Sequence, residues 1–159
     1  MKIRNSSTEG RFFPSGSGKI INLIKELEIA GRYPLEEFPV DQIYGAVLPH
    51  AGHIYSGHQS IPFFQLIQQL EEVPETFVIL HPNHHGLGPA VAIDEAERWS
   101  TSLGEVPVDH ELARYMDFTC SDISHNNEHS AEVILPFLQY YLQEQSFSIL
   151  PLCMKDQSY

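Results

Sequence analysis

The chain has 159 residues and a mass of 18.1 kDa, the size of one domain with room for a substantial core. Its net charge of −12 and the lack of a basic stripe exclude a nucleic-acid binder and disfavour an anionic lipid surface as partner. No apolar run can span a bilayer, and the N-terminus lacks the apolar stretch of a signal peptide, so we expect a cytoplasmic protein. Cys120 and Cys153 cannot form a disulfide framework and are interpreted as small buried apolar residues.

The beginning of the chain is predicted to form an irregular arm followed by a helix. Residues 1–16 are polar and contain glycine and proline, and Phe12 and Phe13 can pin this arm to the body. Residues 17–30 are predicted to be a helix with a serine cap, because their apolar positions fall mostly on one face. Gly31 is expected to end this helix.

Short apolar runs and helical segments then alternate along the chain. Residues 43–48 and 76–80 are predicted to be buried strands, because both are short apolar runs bounded by turn residues. The other predicted elements are, in order, a helix over 57–70, a strand over 90–94, a loop over 99–104, a strand over 105–108, a helix over 110–118 capped by Asp109, a helix over 131–141 capped by Ser130, and a strand over 146–153. This alternation predicts an α/β fold with a mostly parallel sheet flanked by helices.

Histidine is the unusual component of the composition, with nine residues, of which six lie between His50 and His85. Two groups of histidines directly follow the predicted strands 43–48 and 76–80, and in open α/β sheets ligands bind beyond the carboxyl ends of strands. If these strands are parallel neighbours, His50 and His84 project into one crevice as imidazole ligands of a transition metal. Such a site needs at least one further ligand.

The remaining histidines have different predicted roles. His53 and His58 are interpreted as surface histidines, and His81 as a hydrogen-bonded histidine at the end of a strand. His85 is predicted to support the site rather than to bind metal, because adjacent histidines cannot easily point the same way. His129 stands at a predicted helix N-terminus, where a cation is unfavourable. We therefore predict a neutral His129 that acts as an acid, a base or a substrate hydrogen-bond donor.

Five segments of the sequence follow patterns that occur together in one family. They are residues 9–14, 45–57, 80–85, 99–109 and 128–138. Two of them read G-A-V-L-P-H-A-G-H-I-Y-S-G and E-H-S-A-E-V-I-L-P-F-L. In this order, and over nearly the whole chain, they resemble the Memo family, the protein B component of the AmmeMemoRadiSam set.

The resemblance implies an α/β fold similar to that of the class III extradiol dioxygenases, the ring-cleaving non-haem iron enzymes. By position, His50 and His84 match two metal-site histidines of the family. His129 matches a histidine on the substrate side of the dioxygenases. The implied cofactor is a divalent transition metal, with Fe(II) placed before copper and zinc.

The chain departs from the family pattern in two respects. His53, His81 and Asn83 stand where the family usually has Tyr, Gly and Ser, and the additional histidines can add or redirect ligands. The family's later histidine, in an S-S-D-x-x-H-like segment, and its later cysteine do not occur here. We therefore expect residues 1–159 to be a single, C-terminally shortened Memo-like domain that corresponds to the N-terminal part of a longer one. A homodimer can cover the unfinished sheet.

Three functions remain open from the sequence, as does the possibility that the shortened chain is inert. The first is a metal-binding protein related to extradiol dioxygenases, with an oxygen- or metal-dependent activity on a small molecule and His129 moving a proton. The second is a non-enzymatic module that binds a peptide or a protein in the same crevice. The third is a metallohydrolase that uses zinc-bound water, and the identity of the metal separates it from the first.

Overall fold

The computed structural model describes residues 1–30 and 43–155, in which strands and helices alternate. The strands are β1 (Ile3–Asn5), β2 (Thr76–Pro82), β3 (Val91–Ile93), β4 (Arg98–Thr101), β5 (Gly104–Pro107), β6 (Thr119–Cys120) and β7 (Ser148–Met154). The helices are α1 (Ser17–Ala30), α2 (His58–Gln68), α3 (His110–Ala113), α4 (Asp122–His125) and α5 (Leu135–Tyr141), and a π-helical turn (His53–Gly57) precedes α2. The predicted α/β class is confirmed.

The strands form two mixed sheets, which corrects the prediction of one mostly parallel sheet. In the first sheet, with the order β2-β7-β3-β6, β2 is parallel to β7, β7 is antiparallel to β3, and β3 is parallel to β6. The second sheet has the order β1-β4-β5, with β1 parallel and β5 antiparallel to β4. The second sheet arises because residues 3–5 and 98–107 form strands, whereas the sequence placed most of them in an arm and a loop.

The predicted loop over residues 99–104 is wrong, because most of this segment belongs to the β4–β5 hairpin. Trp99 and Thr101 are buried and alternate with the half-buried Ser100, which is the two-residue period of a strand. Gly104 has a φ of 128°, a conformation that permits the tight turn between the two strands.

The three predicted helix caps have different outcomes. Ser17 is the first residue of α1 rather than the residue that precedes it, so the predicted serine cap is wrong. Asp109 caps α3 as predicted, since its carboxylate accepts a hydrogen bond from the backbone N–H of Leu112 at 2.8 Å, although the helix is shorter than predicted. Ser130 does not cap a helix, because α5 begins later in the chain. Pro136 then lies in the first turn of α5, where an amide donor is not needed. The Ser130 hydroxyl contacts Nδ1 of His81 instead.

Among the strands of residues 1–30 and 43–155, β2 lies at the edge of its sheet, and its side chains alternate between the interior and solvent. Phe77 and Ile79 pack against the core and His81 is buried, whereas Val78 and Leu80 are 46% and 68% exposed. This is the period of two expected for a strand covered on one face. The prediction of a strand here is confirmed, but the prediction that it is buried on both faces is wrong.

Residues 43–48, the other predicted buried strand, form no regular element and pair with no strand of the described chain. Tyr44 and Val47 are 92% and 101% exposed. An apolar run becomes a strand only where a neighbouring strand completes its hydrogen bonds. Here the run lies across a cleft from β2 without pairing with it. The predicted strand is therefore wrong, although the segment still leads to His50.

Helices α1, α2 and α5 pack against one another and carry much of the core. The bounds of α1 are those predicted, and Ile20, Ile24 and Leu27 are its buried residues. Gly31, predicted to end α1, lies outside the described residues. In the described part of the chain, every helix is too short or too polar to cross a membrane.

Close packing around Gly57 joins the π-helical turn to the helices. A Cβ atom on this residue would lie 2.8 Å from the Leu27 side chain and 3.2 Å from the Phe137 ring, so any larger residue would require these side chains to move. Phe137 also stacks on Phe64, with 5.3 Å between ring centroids, and this contact joins α5 to α2.

Arg4 of β1 ties the N-terminal strand to the segment that leads into α5. Its side chain is 9% exposed and forms ion pairs with Asp94 and Glu132 at 3.3 and 3.0 Å. It also donates hydrogen bonds to the backbone carbonyl oxygens of His125 and Glu128. Arg4 therefore fixes the backbone from which several histidines and Glu128 project.

Candidate metal centre

His50, His84 and His129 lie together and form what we term the open centre. One ligand atom from each of these histidines lies within 4.8 Å of the others. The ring centroids of His50 and His84 are 5.2 Å apart, and those of His84 and His129 are 4.7 Å apart. Three separate segments thus bring together the three residues that the sequence singled out.

Each of these histidines comes from a loop that regular elements hold in place. His84 follows the end of β2, His50 precedes the π-helical turn, and His129 lies between α4 and α5. Asn127 has a φ of 63°, a left-handed conformation that Asn tolerates better than most residues, and it turns the chain into Glu128. Loops on a rigid scaffold combine fixed positions with access from solvent.

The buried carboxylate of Glu128 organises the open centre. Its side chain is 1% exposed, and Oε2 accepts a hydrogen bond from the backbone N–H of His84 at 2.7 Å. Oε1 accepts one from Nδ1 of His84 at 3.0 Å, and others from the backbone N–H groups of His129 and Ser130 at 2.8 and 3.0 Å. A carboxylate can only accept, so Nδ1 of His84 carries its proton and Nε2 keeps a free lone pair. Carboxylate partners of this kind orient metal-binding histidines.

The charge of these groups favours a cation. Burial alone raises the pKa of Glu128, but the hydrogen bonds from His84 and Ser130 outweigh it and lower the pKa to about 2. Burial, and then the neighbouring His84, lower the pKa of His50, and burial is also the main cause of the lowered pKa of His129. Near pH 7, His50 and His129 are therefore neutral imidazoles near a carboxylate, and a neutral imidazole is the form that binds metal.

The ring planes and their separations indicate which two histidines can share one ion. An imidazole nitrogen offers its lone pair in the plane of its ring. The planes of His50 and His84 are inclined by 52°, so lone pairs from both can meet at one ion. The planes of His84 and His129 are stacked and inclined by only 18°, so an ion in one plane lies outside the other. The planes of His50 and His129 are also inclined, by 54°, but their ring centroids are 5.9 Å apart. The shorter separation of 5.2 Å favours His50 and His84 as the ligand pair.

The N-terminal arm forms one wall of the open centre. Phe12 stacks on the ring of His129 with 4.2 Å between centroids, and Phe13 stacks on His53 at 5.2 Å. The prediction that these phenylalanines pin the arm to the body is confirmed. His84 is exposed and the other two histidines of the centre are half buried, so solvent and small ligands can reach them.

A cleft of about 500 Å³ borders the open centre. Residues 43–48 form one wall and β2 forms another, and His50, His81 and Ser130 contribute to the lining. The described lining contains no Lys or Arg, and most of it is apolar. A cleft of this volume accommodates a small organic ligand.

Two other histidines have structural contacts. His53 is 1% exposed and donates from Nε2 to the carbonyl oxygen of Val133 at 2.7 Å, so its interpretation as a surface histidine is wrong. Burial lowers the pKa of His53 to about 4. His85 donates from Nε2 to the carbonyl oxygen of Asn127 at 3.2 Å and stays outside the open centre, as expected for a neighbour of His84.

His81, His125 and Cys153 form a second group, which we term the closed cluster. One ligand atom from each lies within 4.8 Å of the others, and these residues are at most 3% exposed. No sequence pattern indicates this cluster, because it depends on β2 and β7 being neighbours. Cys153 is buried as predicted, whereas Cys120 is exposed, so the prediction for Cys120 is wrong.

Two convergent imidazoles, a buried carboxylate behind them and a cleft beside them define a candidate metal-binding protein of the α/β class. The sequence profile of the Memo-like protein family matches residues 4–159. The chain belongs to the Memo family, which confirms the resemblance seen in its motifs.

Related proteins match nearly the whole chain. A MEMO1 family protein of Ignicoccus hospitalis is 39% identical over 172 residues, covering 99% of this chain and 58% of that protein. MEMO1 family proteins of Methanocaldococcus jannaschii and Pyrococcus abyssi are each 36% identical, covering 99% and 96% of this chain and 59% and 53% of those proteins. The chain thus spans less than two thirds of the length of these relatives.

Proposed function

We propose that the open centre binds one divalent transition metal ion through His50 and His84, and that this ion is Fe(II). The proposal is carried by one observation, the two ring planes inclined by 52° beside the Glu128 carboxylate. Imidazole nitrogen suits iron, zinc and copper, and two protein ligands leave positions for other ligands. Copper and zinc are therefore the alternatives that the experiment must separate from iron.

The activity we propose is oxygen-dependent chemistry on a small molecule with adjacent hydroxyl groups, as in the extradiol dioxygenases. When bound, the ion supplies Lewis acidity that lowers the pKa of a substrate hydroxyl group. The cleft of about 500 Å³ beside His50 supports a mainly apolar, uncharged substrate, because its described lining lacks Lys and Arg.

In this proposal His129 moves the proton of the substrate. Burial lowers the pKa of His129, so the imidazole is neutral near pH 7 and can accept a proton. Nδ1 of His129 lies 3.4 Å from Oε1 of Glu128, so that carboxylate stabilises the imidazolium that forms. The stacked ring of Phe12 keeps the imidazole oriented.

A second candidate function is a non-enzymatic module that binds a peptide in the same cleft. One observation favours it: β2 has an unpaired edge within the described sheet and exposes Val78 and Leu80 beside the cleft. An extended peptide can add to such an edge through backbone hydrogen bonds. Binding of this kind does not need a metal ion, whereas the first proposal does.

The test is an anaerobic titration of the chain with Fe(II), Zn(II) and Cu(I), in which calorimetry measures the binding. We expect one ion of micromolar or tighter affinity at the open centre, and we expect the His50→Ala/His84→Ala variant to lose it. His58→Ala is the matched control, since this histidine lies outside both histidine clusters and its loss should leave binding unchanged.

The metal that binds then decides among the functions. Binding that is lost in the double variant reports on the open centre. If that binding prefers Fe(II) over Zn(II) at physiological concentrations, it supports oxygen-dependent chemistry, and if it is exclusive to Zn(II), it supports a metallohydrolase. Equal stoichiometry and affinity in the parent chain and the double variant would overturn the open centre as a metal site and leave the peptide-binding module.

A further inference from the structure

We propose that the closed cluster of His81, His125 and Cys153 is a second metal site, which takes a thiophilic ion of the Zn²⁺ type. This site is separate from the open centre and does not depend on the function proposed for it. No motif quoted for the family resemblance includes His125 or Cys153.

The register of the first sheet assembles the closed cluster. His81 of β2 and Cys153 of β7 are direct partners in the parallel pairing, so their side chains lie on the same face. Ala92 of β3 is the partner of Cys153 on its other side, and its carbonyl oxygen accepts a hydrogen bond from Nε2 of His125 at 3.1 Å. Three adjacent strands therefore fix the positions of the three potential ligands.

Hydrogen bonds set the tautomer of His81. The Ser130 hydroxyl oxygen lies 2.8 Å from Nδ1 of His81, and 2.9 Å from both the Pro82 carbonyl oxygen and Oε1 of Glu128. The last two atoms can only accept, so the single hydroxyl proton goes to one of them. Nδ1 of His81 therefore donates to the hydroxyl oxygen, and Nε2 keeps its lone pair.

Two buried lone pairs are thus left without a partner. Nε2 of His81 and Nδ1 of His125 make no hydrogen bond, although the two side chains are 3% and 0% exposed. Nδ1 of His125 carries no proton, because Nε2 donates to the Ala92 carbonyl oxygen. Buried polar atoms without a partner are rare, and a pair of them beside a thiol is the donor set of a metal site.

Cys153 completes the donor set. Its Sγ donates to the carbonyl oxygen of Ser124 at 3.2 Å. Burial, and then the carboxylates of Glu128 and Asp94, raise the pKa of the Cys153 thiol to about 12, and Arg4 opposes them. The same two carboxylates favour a divalent cation at this position. When the ion binds, the S–Zn bond replaces the S–H bond and one proton leaves to solvent.

The donor set and spacing fit zinc better than a hard ion. Two imidazoles and a thiolate suit zinc and copper, whereas calcium and magnesium take oxygen ligands. Bonds of about 2.0–2.3 Å to a tetrahedral ion place its ligands roughly 3.3–3.8 Å apart. The ligand atoms here lie within 4.8 Å of one another, so closure needs movements of about 1 Å. The cleft lined by His81 and Ser130 provides an entry route.

The test is a Co(II) titration of the full chain that carries His50→Ala/His84→Ala, in which absorption spectroscopy measures the binding. Co(II) replaces Zn(II) in such sites, and cobalt–thiolate coordination gives an intense near-ultraviolet charge-transfer band. We expect this band at one Co(II) per chain, and we expect Zn(II) to abolish it. Addition of Cys153→Ser should remove the band and weaken binding at least 100-fold. Cys120→Ser, which replaces an exposed thiol, should leave both unchanged.

Any of three results would overturn the proposal. The band is absent, or it survives Cys153→Ser, or it disappears with Cys120→Ser. Circular dichroism checks the fold of every variant. If Cys153→Ser does not fold, zinc-edge X-ray absorption of the Zn(II)-loaded His50→Ala/His84→Ala chain decides instead. A sulfur shell at about 2.3 Å supports the site, and a shell of nitrogen and oxygen alone contradicts it. These results are independent of the open centre, because both of its proposed ligands are absent.

Discussion

The open centre and the closed cluster contain similar side chains in very different surroundings. In the open centre His84 is exposed and the cleft adjoins His50, whereas every residue of the closed cluster is at most 3% exposed. Ligand type decides which ions a site accepts, and access decides what a bound ion can do. If both groups bind a metal ion, only the ion in the open centre is accessible to a small molecule from solvent.

One hydrogen-bonded path joins the two groups. Nδ1 of His81 contacts the Ser130 hydroxyl, this hydroxyl contacts Oε1 of Glu128 at 2.9 Å, and the same Oε1 accepts from Nδ1 of His84 at 3.0 Å. Glu128 and Ser130 thus connect the two potential metal sites. Substitution of each residue shows which of the two sites depends on it for metal binding.

The largest expected effect on stability comes from substitution of Arg4, which holds the backbone of both His125 and Glu128. Arg4→Met leaves the buried carboxylates of Asp94 and Glu132 without their ion pairs, so we expect the free energy of unfolding to fall by about 3–5 kcal/mol. Urea unfolding measures this change. The exposed Arg114 provides the control, since Arg114→Met should change stability by less than about 0.5 kcal/mol. Similar losses in both variants would contradict the anchoring role of Arg4.

Glu128→Gln should affect the open centre more than the closed cluster. An amide cannot accept all the hydrogen bonds that the carboxylate receives, so we expect metal affinity at the open centre to fall 10- to 100-fold. We also expect stability to fall by about 3 kcal/mol. Calorimetry of metal binding and urea unfolding give the two values, and Glu144→Gln is the exposed control. Unchanged affinity would show that Glu128 does not orient His84.

Ser130→Ala should affect metal binding at the closed cluster more than at the open centre. It removes the acceptor that fixes the tautomer of His81, so Co(II) binding at the closed cluster should weaken by about tenfold, in the range of outer-shell effects. Binding at the open centre should change by less than threefold, because the carboxylate of Glu128 retains its contacts with His84. Stability should fall by about 2 kcal/mol. A larger loss at the open centre would contradict the division between the two groups.

His53 is a buried histidine that belongs to neither potential metal site, so it serves as a comparison for both groups. Its pKa is about 4 in the folded chain and near 6.5 when unfolded, so between these values the unfolded chain binds more protons. Stability should therefore fall as the pH drops from 6.5 to 4, with a contribution from His53 of about 1.4 kcal/mol per pH unit. His53→Gln can still donate to Val133 but does not titrate, so it should remove the part of this slope that one proton contributes. Urea unfolding at several pH values measures the slope. An unchanged slope would show that His53 is not the titrating group.

The sequence allowed the open centre to be predicted but not its surroundings. His50, His84 and His129 stand in local motifs at the ends of elements, and such positions can be read from one segment at a time. The strand predicted over residues 43–48 failed, because strand formation depends on a partner that composition does not reveal. The closed cluster could not be predicted, because His81 and Cys153 meet only through the order and register of β2 and β7.

The most direct test of the open centre is anomalous diffraction at the iron absorption edge from crystals of the chain grown anaerobically with Fe(II). We predict an anomalous peak at about 2.0–2.3 Å from Nε2 of His84 and from a ring nitrogen of His50, with no ligand bond from the stacked ring of His129. A map without a peak at this position, or with its only peak in the closed cluster, would contradict the assignment of the open centre as the metal site.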